Sequence, residues 1–181
     1  NIQGKFPNTR LRRNRMKDFS RRLVAENNLS TDDLILPLFV CEGNNIENPI
    51  QSMPGVSRYS IDKLLHKVEE AIKLSIPAIA IFPQIEPSLK NAEGSLAYDE
   101  NNLVCRSIKN IKKEFSGIGI ICDVALDPFT DHGHDGLVIN DKIDNDKTLD
   151  ILEKQALVQV HAGCDVIAPS DMMDGRVGRI R

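Results

Sequence analysis

Apolar residues recur along this chain with two alternating spacings. Leu34 to Val40 is a continuous apolar run of the kind a strand shows when both of its faces are covered. Ile61 to Leu74 then places Ile61, Leu64, Leu65, Val68, Ala71 and Ile72 on one helical stripe. The same pair of patterns returns twice, and the strand pattern once more. A strand over Ala78 to Phe82, ended by Pro83, precedes a helix over Asn101 to Phe115 carrying Leu103, Val104, Ile108 and Ile111. A strand over Gly117 to Val124 precedes a helix from about Asp146 to Ala162, whose inner face is read as Leu149, Leu152, Ala156, Leu157 and Val160. A fourth strand, Asp165 to Ala168, ends at Pro169. The strand starts at 34, 78, 117 and 165 stand 44, 39 and 48 residues apart, room enough for right-handed crossovers with extended loops.

Strands alternating with helices predict an α/β fold with a parallel sheet, either doubly wound or closed into a (β/α)8 barrel. Neither GxGxxG nor GxxxxGK[ST] occurs, so the glycines that cradle a dinucleotide or a nucleoside triphosphate are missing. The barrel is the better fit. A whole barrel usually takes about 250 residues, and four βα units make about half of one. The expected organisation is therefore an arm over 1–31 and the first half of a barrel over 32–181.

Composition narrows the picture modestly. The 181 residues are 41% hydrophobic and 27% charged, with a net charge of -3, as expected of a globular domain able to bury a core. Four separated cysteines without a CxxC pair fit a reducing cytoplasm, and no run reaches the roughly 20 apolar residues that cross a bilayer. No membrane partner is expected. The arm carries seven basic residues between Arg10 and Arg22 against the single acid Asp18. With Phe19 as the one aromatic between Arg10 and Arg22, that stretch lacks a stacking platform for nucleic acid, and docking on a neighbouring subunit through arginine–carboxylate pairs fits it better.

Candidate chemistry concentrates where the third strand ends. Asp123, Asp127, Asp131, His132, His134 and Asp135 fall within thirteen residues, at the carboxyl end of a buried strand, where α/β folds bind ligands. Aspartates there can act as bases, bind ammonium groups or hold hard metals, and spacing alone does not choose. His132 and His134 form an HxH pair that can either ligate a metal or anchor a turn through loop hydrogen bonds. Ser170, Asp171 and Asp174 follow the fourth strand and should reach the same mouth if the strands are parallel. Alternatively Ser170 or Asp171 caps a helix while Asp174 and Gly175 form a turn. Met172 and Met173 are read as packing residues, Lys90 and Arg176 as basic groups near the strand ends, and His66 and His161 as structural.

RLRRNR at Arg10 to Arg15, LILPLFVCEG at Leu34 to Gly43, SMPGVSRYS at Ser52 to Ser60, IFP at Ile81 to Pro83, CDVALDPFTDHGHDG at Cys122 to Gly136, QAL at Gln155 to Leu157 and APSDMMDGRVGRIR at Ala168 to Arg181 occur in this order. Together they resemble the amino-terminal half of the porphobilinogen synthase (δ-aminolevulinic acid dehydratase) family. The resemblance implies a (β/α)8 barrel with an amino-terminal arm, a cytoplasmic homo-oligomer, an octamer in that family, and a lyase that joins two molecules of 5-aminolevulinate into porphobilinogen for tetrapyrrole synthesis.

The same resemblance implies that Asp123, Asp127, Asp135 and Ser170 line the substrate mouth. Zinc-using members carry cysteines at the positions of Ala125, Asp127 and Asp135, so this chain is similar to the aspartate-rich branch. No catalytic zinc is then expected, and magnesium, where used, is expected at an allosteric position outside this chain. Asp131 departs from the serine usual before HGH. The family's two Schiff-base lysines lie on later strands and are absent here, so residues 1–181 alone are expected to be inactive. Two other readings stand beside this one: a metal-dependent barrel hydrolase using His132 and His134, and a non-catalytic half-barrel that serves as an interaction module.

Overall fold

The structure, a computed structural model, describes residues 4–181. Residues 1–3 of the expected arm lie outside that range. Residues 4–34 contain turns of 3-10 helix at Arg13–Arg15 and Thr31–Asp33 and a short helix α1 (Asp18–Leu23), with no fully buried side chain. Leu11, Leu23 and Leu29 stand open to solvent. The body begins with β1 (Ile35–Val40), followed by β2 (Glu47–Pro49), β3 (Ser57–Tyr59), α2 (Ile61–Lys73), β4 (Ala78–Pro83), α3 (Leu103–Glu114), β5 (Gly119–Val124), β6 (Val138–Ile139), β7 (Lys142–Ile143), α4 (Asn145–Ala162), β8 (Val166–Pro169) and α5 (Arg176–Ile180).

The four expected strands are β1, β4, β5 and β8, and they lie side by side, all parallel, in chain order. A doubly wound sheet reverses its strand order part-way. This one does not, and its three long helices stack on one face, as in a barrel wound in one sense. The β2–β3 hairpin adds to the outer edge of β1, where β3 pairs in parallel at Phe39–Arg58 and Val40–Tyr59.

Alternation along the strands divides two environments. Leu38, Val40, Ile79, Ile81, Ile120, Cys122 and Val124 point toward the helices and are buried against Leu64, Val68, Ile108, Ile111 and Leu152. The opposite face carries Pro37, Ala80, Ile121 and Val166 in one register row. It is the concave side, and Ile35 and Val166 at its margins are about half exposed. Asp123 and Ala168, paired across β5 and β8, belong to that concave side.

Helix α4 departs from the expected face. Its buried side chains are Thr148, Leu152, Gln155, Ala156, Gln159 and Ala162, whereas Leu157 and Val160 face outward, half exposed. The helix is rotated because its two glutamine amides donate to strand carbonyls, Gln155 Nε2 to Ala125 at 3.1 Å and Gln159 Nε2 to Asp123 at 2.9 Å. Met172 also departs from expectation: it is exposed, and only Met173 packs into the core.

A charged tie fixes β5 against the segment entering β8. The Asp165 carboxylate accepts from the backbone N–H of Ile120 at 2.8 Å and from Lys112 Nζ at 2.6 Å, and these bonds hold its carboxyl below the usual aspartate range. A carboxyl with a depressed folded pKa adds stability above its unfolded pKa and loses it as pH falls through the folded value. Asp165→Ala is expected to cost about 1–2 kcal/mol at pH 7 by leaving the Ile120 N–H without a partner. Urea unfolding should find that difference shrinking as the pH drops below about 4.

A candidate acidic active-site mouth

The loop leaving β5 is held by its apolar side chains, so its acids are left to face the mouth. Ala125, Leu126 and Phe129 are buried, and the Leu126 carbonyl accepts from the N–H groups of both Phe129 and Thr130, forming a tight turn with Asp127 and Pro128 at its tip. Asn91, in the loop after β4, exchanges backbone hydrogen bonds with Phe129 and Asp131 and so aligns the two loops. A Cβ on Gly136 would come within 2.9 Å of Ile143 and 3.0 Å of Met173. Only glycine lets the acidic loop, the β6–β7 hairpin and the segment after β8 meet there.

At the centre, Ser170 Oγ donates to Asp123 Oδ1, joining the ends of β5 and β8. Asp123 is half-buried, and burial raises its pKa most. The Ser170 hydrogen bond pulls it back, and the charges of Asp127 and Asp171 push it up again. Asp127 lies exposed on the rim, where partial loss of hydration and then the charge of Asp135 raise its pKa, with Lys90 opposing. The charge of Asp135 therefore reaches Asp127 across the loop.

Asp171 belongs to the same group and is almost completely buried. Its Oδ1 accepts from Met173 N–H at 2.7 Å, and Oδ2 lies 3.4 Å from Arg176 Nε. Burial raises its pKa, the Met173 N–H and the Arg176 charge oppose that, and Asp135 adds to it. Arg176 is thus committed to an ion pair. Asp174 is not brought to the mouth: it is exposed, and its backbone is clasped by the Asn145 side chain at 2.8 and 3.1 Å. Asp131 is exposed as well.

The two imidazoles act as turn anchors. His132 Nδ1 accepts from the His134 N–H at 3.1 Å, and its Nε2 faces the Ala92 carbonyl at 3.3 Å, so both nitrogens are engaged. His134 Nδ1 accepts from Gly136 N–H at 3.0 Å and lies 3.2 Å from Asp135. Among the described residues no three His, Cys, Asp or Glu side chains gather as a metal-holding group. Reading the residues alone missed Gln155 and Gln159. Their four-residue spacing on α4 was the available signal, but two polar residues ordinarily mark a solvent face.

What this arrangement can do follows from its charge. Carboxyls whose pKa is raised by burial and by a neighbouring carboxylate are relieved by a cation, and the raised pKa suits them to proton transfer. The fold and site define a class: a barrel-type α/β protein whose strand ends gather acids around an opening. The family model for delta-aminolevulinic acid dehydratase matches residues 8–181, and the chain belongs to that family. It is 59% identical over 172 residues to the dehydratase of Bradyrhizobium diazoefficiens, covering 95% of this chain and 49% of that protein. It is 42% identical to the dehydratase of Ruminiclostridium josui, covering 95% of this chain and 83% of that one. The crystal structure of the Toxoplasma gondii enzyme in complex with porphobilinogen superposes with a TM-score of 0.90 at 43% identity, covering 96% of this chain and 49% of that chain. The chain thus spans about half the length of most of these relatives.

Proposed function

We propose that this chain supplies the acidic side of the mouth of a porphobilinogen synthase, which condenses two 5-aminolevulinate molecules to porphobilinogen with loss of water. The observation that carries the reading is the Ser170–Asp123 hydrogen bond, set where the charges of Asp127 and Asp171 reach Asp123 and that of Asp135 reaches Asp127. The substrate's ammonium group is the cation such a mouth favours. Asp127 and Asp135 receive it, and Asp123, steadied by Ser170, takes or returns a proton as the amine and the neighbouring carbon react. Activating the substrate ketone as a Schiff base requires an enzyme amine, and among the described residues no lysine lies at the end of β1, β4, β5 or β8. The family resemblance assigns that role to lysines on later strands, so residues 1–181 by themselves do not turn over.

The cysteine positions of zinc-using relatives hold a buried alanine and two carboxylates here, a donor set that does not fit a soft metal, and no step passes through one. A magnesium requirement, where present, belongs to an allosteric position outside these residues. The arm, with its exposed arginines and its exposed Leu11, Leu23 and Leu29, is suited to seating on a neighbouring copy in a homo-oligomer. Among the described residues no helix is long and apolar enough to cross a membrane, and a cytoplasmic location accords with tetrapyrrole synthesis. The test is a turnover assay with 5-aminolevulinate: the intact barrel protein forms the pyrrole, and residues 1–181 alone do not. No pyrrole from the intact protein, or stoichiometric zinc held by His132 and His134, overturns the reading in favour of the hydrolase.

A further inference from the structure

Gln159 and Gln155 have a role beyond filling the interface between α4 and the sheet. The carbonyls of Ile120 and Val124 accept from the N–H groups of Asp165 and Ser170, on the β8 side of β5. Carbonyls alternate in direction along a strand, so those of Asp123 and Ala125 turn the other way, toward β4. The β4–β5 register runs to Ile81–Cys122, and the next donor the ladder requires is the backbone nitrogen of residue 83. That residue is Pro83, which has no N–H. The Asp123 carbonyl is therefore without a partner in the sheet at the residue whose side chain forms the centre of the mouth.

Helix α4 fills the gap. Gln159 Nε2 donates to the Asp123 carbonyl at 2.9 Å and Gln155 Nε2 to the Ala125 carbonyl at 3.1 Å, with both side chains almost fully buried. The spacing fits: four helical residues rise about 6 Å, and two strand residues about 6.6 Å. Helix and strand run antiparallel, so each glutamine meets one of the two carbonyls. Both Oε1 atoms are buried without a hydrogen-bond partner, a cost that packing alone does not explain, because an apolar side chain of the same size would avoid it.

We infer that Gln159, supported by Gln155, is a positioning residue: it supplies the donor that Pro83 withholds and so fixes the end of β5, holding the Asp123 carboxyl against Ser170 and starting the Asp127 turn in register. The inference rests on the proposed synthase reading for its kinetic consequence only.

The test combines Gln159→Met, which keeps the volume and removes the donor, with Pro83→Ala, which returns an N–H to the ladder. In the intact protein, Gln159→Met is expected to lower kcat for pyrrole formation by about ten- to a hundredfold with KM changed little, as misplaced groups do. In carboxyl-labelled protein the Asp123 titration midpoint should shift, and adding Pro83→Ala should bring back most of both effects. A merely structural glutamine would lower the melting temperature while leaving the Asp123 titration and kcat in place, and that result, or no rescue by Pro83→Ala, overturns the inference. If Gln159→Met does not fold, Pro83→Ala alone decides. The through-hydrogen-bond coupling from Gln159 Nε2 to the Asp123 carbonyl should weaken in it, and an unchanged coupling counts against the proposal. A wild-type protein that forms no pyrrole would defeat the synthase reading, while the titration still judges Gln159.

Discussion

Asp123→Asn is expected to lower pyrrole formation by the intact protein roughly 10²–10⁴-fold, the usual worth of a general acid–base group, while making the fold more stable at neutral pH. Asparagine keeps the shape and can still accept from Ser170 Oγ, so the loss is one of charge and proton transfer. The stability gain follows from the direction of the pKa. Burial and the neighbouring Asp127 and Asp171 raise Asp123 above its ordinary value of 3.8. A carboxyl raised in the folded state favours folding in its protonated form; that contribution is complete below the unfolded pKa and is lost as pH rises through the folded one. At pH 7, above the unfolded pKa, that contribution is reduced, because the surroundings disfavour the charged form. Thermal unfolding should place the variant above the wild type at pH 7 and level with it below about pH 4, and a steady-state assay reads the loss of turnover. A variant with lost activity and lowered stability at pH 7 would mean that the carboxylate is held by favourable contacts, contrary to this account of the mouth.

Ile120→Ala should be among the most damaging single changes to the fold, at about 2–5 kcal/mol, from lost burial and the cavity left behind. Ile120 is completely buried in β5, beside Ile79 in register and under the α3–α4 layer. For a chain of this length that corresponds to a melting temperature lower by roughly 5–20 °C. Val166→Ala is the matched control. It lies in the neighbouring strand but on the concave face, half exposed, and should change stability by about 0.5 kcal/mol or less. Calorimetry on the two variants separates the covered face of the sheet from the open one. Equal losses would place the core on the wrong side.

The four parallel strands were legible because their apolar runs are continuous and end at Pro83, Pro169 or acidic loops. Observed boundaries move by only one or two residues, the usual uncertainty of helix and strand ends. The meeting of Asp123 with Ser170 was legible too, since it requires only that β5 and β8 be parallel neighbours. What failed to show in the sequence depends on partners far along the chain. Gln155 and Gln159 turn inward, and Leu157 and Val160 outward, because Pro83 leaves a carbonyl of β5 without a donor. That three-way dependence joins residues 83, 123 and 159 and leaves no periodic trace. The β2–β3 and β6–β7 hairpins pair two or three residues each, too few for alternation to register. The turn of the second relies on Asn140 and Asp141 at φ of 51° and 60°, without the glycine that usually signals it. Asp171 looked like a cap because its Oδ1 does make a local hydrogen bond; its burial against Arg176 comes from tertiary packing.

The account stands on the acids of β5 and the hydroxyl after β8 forming one electrostatic unit. The direct measurement is the titration of Asp123, followed by carboxyl carbon NMR in the wild type, in Ser170→Ala and in Asp127→Asn. The wild-type midpoint should lie above that of an ordinary aspartate, rise further when the Ser170 hydrogen bond is removed, and fall when the charge of Asp127 is removed. An Asp123 that titrates like a solvent-exposed aspartate, unmoved by either substitution, would contradict it.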